Sequence, residues 1–288
     1  MKQLAPAVWT HDIDVEGFPT LSAVVLTPRL AIVVDTLTGP RDMDPVREFL
    51  AAKAGGRRLV VVNTHHHWDH VFGNAAFEGA DIVAQRACPR LIQAVLQGGD
   101  ESLCLPPPEG VPLPNVTFGD RLTYVDVGET VHLIHTPGHT EDSLVVFLAG
   151  SRLLLGGDVV EWPLPNFSQR SGAQEWVRTL RQLKQLPADV IVPAHGPALD
   201  KQLIDANERY IADVYAAVSA AASSSCRRPG SSPPASPSTT STRPSIATTF
   251  SGPGTTSERA AAAAPGGLGP VVSTSNWTLS SNSCTKGA

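Results

Sequence analysis

Seven residues of types that hold transition metals stand where they could act together, and four of them sit almost side by side. His65, His67, Asp69 and His70 fall within Thr64-His65-His66-His67-Trp68-Asp69-His70, and His139, Asp158 and His195 follow at wide spacing. Imidazole nitrogens and carboxylate oxygens are donors that suit zinc. Extended backbone sends alternate side chains to one side, so His65 and His67 point together and His66 points away. If the chain turns at Trp68, Asp69 and His70 face a second point a short distance off. One loop then supplies ligands to two metals, and a pair of metals about 3.5–4 Å apart forms a hydrolytic clamp.

Histidine-rich runs also occur as surface clusters and purification tags. This run differs from both. It follows the apolar stretch Leu59-Val60-Val61-Val62 and precedes Val71-Phe72-Gly73-Asn74. The three later residues each stand where an apolar strand gives way to a loop containing Gly or Pro: His139 in Pro137-Gly138-His139, Asp158 in Gly156-Gly157-Asp158, and His195 in Pro193-Ala194-His195-Gly196. Such loops on a rigid scaffold are the usual place for site residues. Taken singly, a Pro-Gly-His turn is only a turn, Gly-Gly-Asp a turn or cap, and one His after a strand a surface residue. Their joint order carries the argument.

The elements that must position these residues are legible. Leu21–Thr27 and Leu30–Asp35 read as paired strands turned at Pro28-Arg29. Asp44–Ala54 reads as a helix with Asp44 as N-cap, Pro45 at the first helical position and Gly55-Gly56 as its stop. Arg58–Asn63 is a buried strand that delivers the histidine run. Asp81–Ala84 reads as a short strand, Cys88–Gln97 as a helix, and Leu105–Pro114 as a Pro-rich loop. Strands resume at Arg121–Val127, Val131–His135, Ser143–Leu148 and Arg152–Leu155. Ala173–Leu186 is a helix, Asp189–Val192 a strand, and Asp200–Ala220 an amphipathic helix. This order implies an α/β protein of two packed sheets with helices outside.

The order H-x-H-x-D-H, then His, Asp and His, resembles the metallo-β-lactamase superfamily over about residues 8–200. The resemblance implies a four-layered αβ/βα sandwich with the site between the edges of two sheets. It implies two Zn2+, one held by His65, His67 and His139 and the other by Asp69, His70 and His195, with Asp158 bridging. Asp35, in Ile32-Val33-Val34-Asp35-Thr36, matches a structural Asp of the family. The implied chemistry is hydrolysis by a metal-bridging hydroxide, with Asp69 orienting it. Its target is an ester, thioester or related acyl bond of a small molecule.

Within the family, Asp158 resembles the glyoxalase II-like branch, where true metallo-β-lactamases carry Cys or Ser. His67 differs from the Glu of the di-iron flavoproteins. Pro193-Ala194-His195-Gly196 departs from the Gly-His-Glu of glyoxalase II, and the family's helical glutathione-binding domain is not recognisable after Ala220. Hydroxyacylglutathione is therefore not assigned. The alternatives are a mononuclear Fe2+ enzyme resembling persulfide dioxygenases, a β-lactam or lactone hydrolase, and a catalytically silent metal-binding module. Trp162 and Phe167, on the loop after Asp158, are candidate substrate-binding walls, with ordinary packing as the competing reading. His11, His66, His132 and His135 are read as structural or solvated, and Trp68 as packing beneath the metal loop.

The bulk composition sets the frame. Among 288 residues, 42% are hydrophobic, normal for a globular chain, and the net charge of -5 without basic runs argues against nucleic-acid binding. The start shows no secretory pattern and no stretch is apolar enough for a membrane span, so the expected location is cytoplasmic. None of Cys88, Cys104, Cys226 and Cys284 stands in a C-x-x-C pair; Cys88 and Cys104 are expected as two free thiols, with a disulfide between them as the alternative. Residues 1–220 form the expected hydrolase domain. Residues 221–288, rich in Ser, Thr, Pro, Ala and Gly, read as a disordered tail. Two origins fit the abrupt change: an ordinary low-complexity tail, or out-of-frame translation of a GC-rich gene. Oligomeric state is not legible.

Overall fold

The computed structural model describes residues 1–15, 17–98, 106–168 and 171–225. The segment 226–288, most of the expected tail, lies outside the described residues, as do Cys104, Cys226 and Cys284.

Twelve strands form two sheets among the described residues. The first contains β1 (Lys2–Ala5), β2 (Val8–Val15), β3 (Phe18–Leu26), β4 (Leu30–Val34), β5 (Arg58–Val62), β6 (Asp81–Gln85) and β7 (Val116–Phe118), in that spatial order. The second contains β8 (Arg121–Asp126), β9 (Glu129–His135), β10 (Leu144–Leu148), β11 (Leu153–Gly157) and β12 (Val190–Pro193), in reverse order. The helices are α1 (Asp44–Lys53), a single turn α2 (Trp68–Val71), α3 (Cys88–Leu96), α4 (Ala173–Leu183) and α5 (Gln202–Ser225).

The layering follows from strand periodicity, because alternate side chains serve opposite faces. Ile32, Val34, Val60 and Val62 meet Leu133, Leu144, Val146 and Leu155 in the core between the sheets. Their neighbours Val33 and Val61 face outward and bury Val46 and Leu50 of α1. The outward residues Val145, Phe147, Leu154 and Ile191 of the second sheet bury Trp176 and Leu180 of α4 with Ile204 and Ile211 of α5. Strands buried on both faces must be apolar throughout, which is why β5 reads Leu-Val-Val-Val without alternation. The result is the four-layered αβ/βα sandwich. No helix among the described residues is long and apolar enough to cross a membrane.

Three local expectations change. Strands β1 and β2 precede the first expected strand, and β7 adds a short edge strand after the Pro-rich loop. In β2 only Val8 and Thr10 are buried, and His11, Asp12 and Asp14 interrupt its apolar residues, so its apolar signal is weak. Asp44 is not a side-chain cap: the N-cap is Met43, and no side-chain cap bond forms. The last helix runs to Ser225, past the expected end at Ala220.

Strand direction decides where the loops collect. β4 and β5 are parallel, β11 and β12 are parallel, and β9 runs with β11 because both are antiparallel to β10. The carboxyl ends of these strands therefore lead to Asp35, His65–His70, His139, Asp158 and His195.

Trp176 ties the outer layer to this edge. It is fully buried, donates its indole N–H to the Val159 carbonyl at 2.8 Å, and lies edge-on to His139 with ring centres 5.4 Å apart. A Cβ on Gly138 would lie 2.6 Å from its Cγ, so the turn before His139 requires glycine for close approach. Trp176→Ala should cost about 3–5 kcal/mol through the cavity it leaves. For a domain of this size that corresponds to a Tm lower by roughly 6–20 °C, measurable by thermal denaturation. A Tm within one degree of the parent would show that the layer does not depend on it.

Candidate metal centre

The structure brings the seven donor residues into two adjoining groups: His65, His67, His139 and Asp158, and Asp69, His70 and His195. His65 and His67 leave the end of β5, and Asp69 and His70 occupy the helical turn α2, which swings them to the second group.

Asp158 lies between the groups. Its Oδ2 is 3.6 Å from His65 Nε2 and 3.4 Å from His139 Nε2. Its Oδ1 is 3.3 Å from His70 Nε2 and 3.2 Å from His195 Nε2. Asp69 Oδ2 is 3.4 Å from His70 Nε2 and 3.5 Å from His195 Nε2, while His67 Nδ1 is 3.1 Å from His139 Nε2. Tetrahedral zinc with bonds of roughly 2.0–2.1 Å separates its donors by about 3.3–3.4 Å. The spacing matches donors around a cation better than it matches hydrogen bonds.

The burial is equally specific. His65 Nε2, His70 Nε2 and Asp158 Oδ1 are buried without a hydrogen-bond partner among the described residues. Such orphaned groups are costly unless a ligand satisfies them. The donor set and its orphaned atoms thus fit a metal.

Four of the five imidazoles are aimed by the contact their other nitrogen makes. His139 Nδ1–H donates to the Asn166 carbonyl at 3.1 Å, and His195 Nδ1–H to the Pro19 carbonyl at 2.8 Å. A carbonyl can only accept, so the Nε2 lone pair of each ring faces the cluster. His70 Nδ1–H donates to Asp35 Oδ2 at 2.9 Å, and the Thr64 hydroxyl donates to the same oxygen at 2.7 Å. With its proton committed, Thr64 Oγ1 accepts from His65 Nδ1 at 3.2 Å. One carboxylate, Asp35, therefore orients a ligand in each group. It sits at φ 61°, a left-handed conformation in which Asp is tolerated better than most residues.

Gly157 has φ 51°, and a Cβ there would lie 3.1 Å from Thr64 Cβ, so glycine both permits the bend into Asp158 and leaves room for the relay.

Burial and the neighbouring imidazoles together hold His65 well below its ordinary range. Burial and His139 take His67 down to about 3. These rings are neutral, the form that ligates metal. At His70 burial opposes charge, but the carboxylates of Asp69, Asp158 and Asp35 outweigh it and raise the ring well above its usual value. Burial acts likewise to raise Asp69, and is outweighed by His70 and His195, which bring it down to about 2.

The remaining histidines fall elsewhere. His66 turns away and pairs through Nδ1 with Asp142 at 2.8 Å, His11 bonds the Asp42 carbonyl, and His132 and His135 lie on β9. Cys88 is a buried free thiol. Trp68 packs against Val71 and Phe72 of the layer beneath the loop. Phe167 is half-buried against Trp176 and Tyr210 in the layer behind the site. Trp162 is exposed and walls a cavity of about 320 Å³ with Pro19, Leu21, Ala194 and Gly196, which none of the seven donor residues lines. Sequence reasoning missed Glu161, Asn166 and Asn207, which support His139 from behind. An isolated Glu or Asn in a loop or helix carries no spacing signal that would have found them.

The profile of the metallo-beta-lactamase superfamily matches residues 15–195, and the chain belongs to that family. The solved metallo-beta-lactamase from Pontibacter korlensis has the same fold, with a TM-score of 0.62 at 24% identity over 74% of this chain and 98% of that one. A linear primary-alkylsulfatase from Pseudomonas sp. is 31% identical over 112 residues, 36% of this chain and 21% of that protein. A hydroxyacylglutathione hydrolase from Methylobacillus flagellatus is 27% identical over 164 residues, 56% of each chain. A metallo-beta-lactamase type 2 from Bacillus sp. is 26% identical over 213 residues, 71% of this chain and 79% of that protein. The chain spans between about a fifth and just over half the length of the curated relatives it matches first.

Proposed function

We propose that this protein is a zinc-dependent hydrolase that cleaves an ester, thioester or related acyl bond of a small molecule. The observation that carries the reading is the division of Asp158: each oxygen faces one group of imidazoles at 3.2–3.6 Å, as a bridging carboxylate would.

Two zinc ions bound there would supply Lewis acidity and a water acidified from a pKa of ~15.7 toward ~7. His65, His67 and His139 would hold one, Asp69, His70 and His195 the other, and Asp158 both. The protein's own part is orientation. Asp69 turns Oδ2 toward His70 and His195, and its Oδ1 has no partner among the described residues, so it is available to accept a hydrogen bond from the attacking water. Asp35, Thr64, Pro19 and Asn166 keep the imidazole lone pairs aimed inward, so little reorganisation is needed when substrate arrives. Similarity to hydroxyacylglutathione hydrolases supports an acyl thioester among the substrates, and similarity to metallo-beta-lactamases supports lactams and lactones in the test panel.

Metal analysis of the purified chain should give about two zinc per molecule. Chelation should abolish hydrolysis across a panel of S-acylglutathione, aryl ester, lactone and β-lactam, and zinc should restore it. A single iron with oxygen uptake would overturn the reading in favour of an Fe2+ dioxygenase. Full zinc with no turnover on the panel would leave a metal-binding module.

A further inference from the structure

Behind the cluster lies a buried carboxyl group that the proposed chemistry does not use. Glu161 is 2% exposed and three residues beyond Asp158. Burying a carboxyl group is costly, so its contacts carry information about its role.

Its Oε1 accepts the backbone N–H of Asn166 at 3.1 Å and lies 3.7 Å from His139 Nδ1. Asn166 in turn offers its carbonyl to His139 Nδ1–H. The same residue is therefore held by its N–H to Glu161 and holds His139 by its C=O. Asn166 lies on an irregular segment after Pro165, with no strand or helix ladder to fix its peptide groups. Among the described residues, Glu161 alone engages the Asn166 N–H.

Glu161 is itself clamped from the last helix. Asn207 on α5 accepts the Glu161 backbone N–H at 2.8 Å and donates its own amide to the Glu161 carbonyl at 2.9 Å. Asn207 is fully buried, and its side-chain amide acts here as a short piece of strand would, pairing both polar groups of one residue. Trp176 adds a hold on the same loop at Val159.

We propose that Glu161 is a positioning residue for the metal centre: with Asn207 as its anchor on α5, it fixes the Asn166 carbonyl that selects the tautomer and orientation of His139. The proposal rests on the reading of the seven donors as a metal centre. It adds a dependence of that centre on a helix that contributes no ligand. Partners that orient a ligating histidine in this way are typically worth about 10–100-fold in metal affinity.

The test is zinc affinity by chelator competition on the full chain, together with the visible absorption of the cobalt-loaded protein and with circular dichroism and Tm as controls of folding. Glu161→Ala should weaken one of the two zinc ions by about 10–100-fold and alter the cobalt spectrum. Glu161→Gln keeps an oxygen acceptor for the Asn166 N–H and should retain affinity within about threefold on the same scale. Asn207→Ala gives a second route to the same effect should Glu161→Ala fold poorly. Parental affinity and cobalt spectrum in both Glu161→Ala and Asn207→Ala would overturn the proposal, as would a Glu161→Gln protein no better than Glu161→Ala. A parental chain that binds no zinc would instead remove the metal centre, and the proposal with it.

Discussion

Asp158→Ala is expected to take the protein from about two zinc ions to one or none, and to lower hydrolysis by at least about three orders of magnitude. That loss corresponds to about 4 kcal/mol of transition-state stabilisation. The two oxygens of Asp158 face imidazole nitrogens of different groups, and among the described residues no other carboxylate pairs with both. Removing it leaves like partial charges of several imidazoles facing one another across a buried space, with no shared anion to neutralise two cations. The sandwich itself should persist, because the side chain belongs to none of the apolar layers. Metal content by elemental analysis and hydrolysis on the substrate panel are the measurements. Two zinc ions and parental turnover in the folded variant would refute the bridging role.

Asp69→Ala is expected to cut turnover by a comparable factor, about a thousandfold or more, with a different signature. Asp69 belongs to one group alone, so the His65, His67 and His139 site should keep its zinc while the other weakens. Excess zinc should refill that weakened site, yet turnover should stay low, because Oδ1 would no longer be there to orient the attacking water. The split between metal content and rate separates this variant from Asp158→Ala. Near-parental turnover in zinc-saturated Asp69→Ala would sink the mechanism, whatever its affinity.

Much of the site was legible before the fold was known, for a physical reason. Metal chemistry admits few residue types, and a ligand loop is short, so His65, His67, Asp69 and His70 announce themselves through spacing together with the apolar strand that precedes them. The double-buried strands announce themselves too, since a strand covered on both faces has to be apolar at every position. Weakly patterned elements did not. β2 has its apolar residues interrupted by His11, Asp12 and Asp14, and its membership of the sheet comes from pairing with β3 along its whole length. At Trp162 and Phe167 loop position alone did not separate wall from packing: Trp162 walls a cavity with Ala194 and Gly196, on either side of His195, and Phe167 packs in the layer behind the site.

What the amino-acid order by itself determined is the set of donors, their succession along the chain and the apolar strands that deliver them. The tertiary structure alone decided how those donors act together. It brings five strand ends to one edge, splits Asp158 between two groups of imidazoles, and places Asp35 so that one carboxylate orients His70 directly and His65 through Thr64. The reason is range. Side-chain type and alternation are local and survive in the linear order, whereas the choice of which ring nitrogen faces inward depends on carbonyls and carboxylates up to 176 residues away, as at His195 and Pro19.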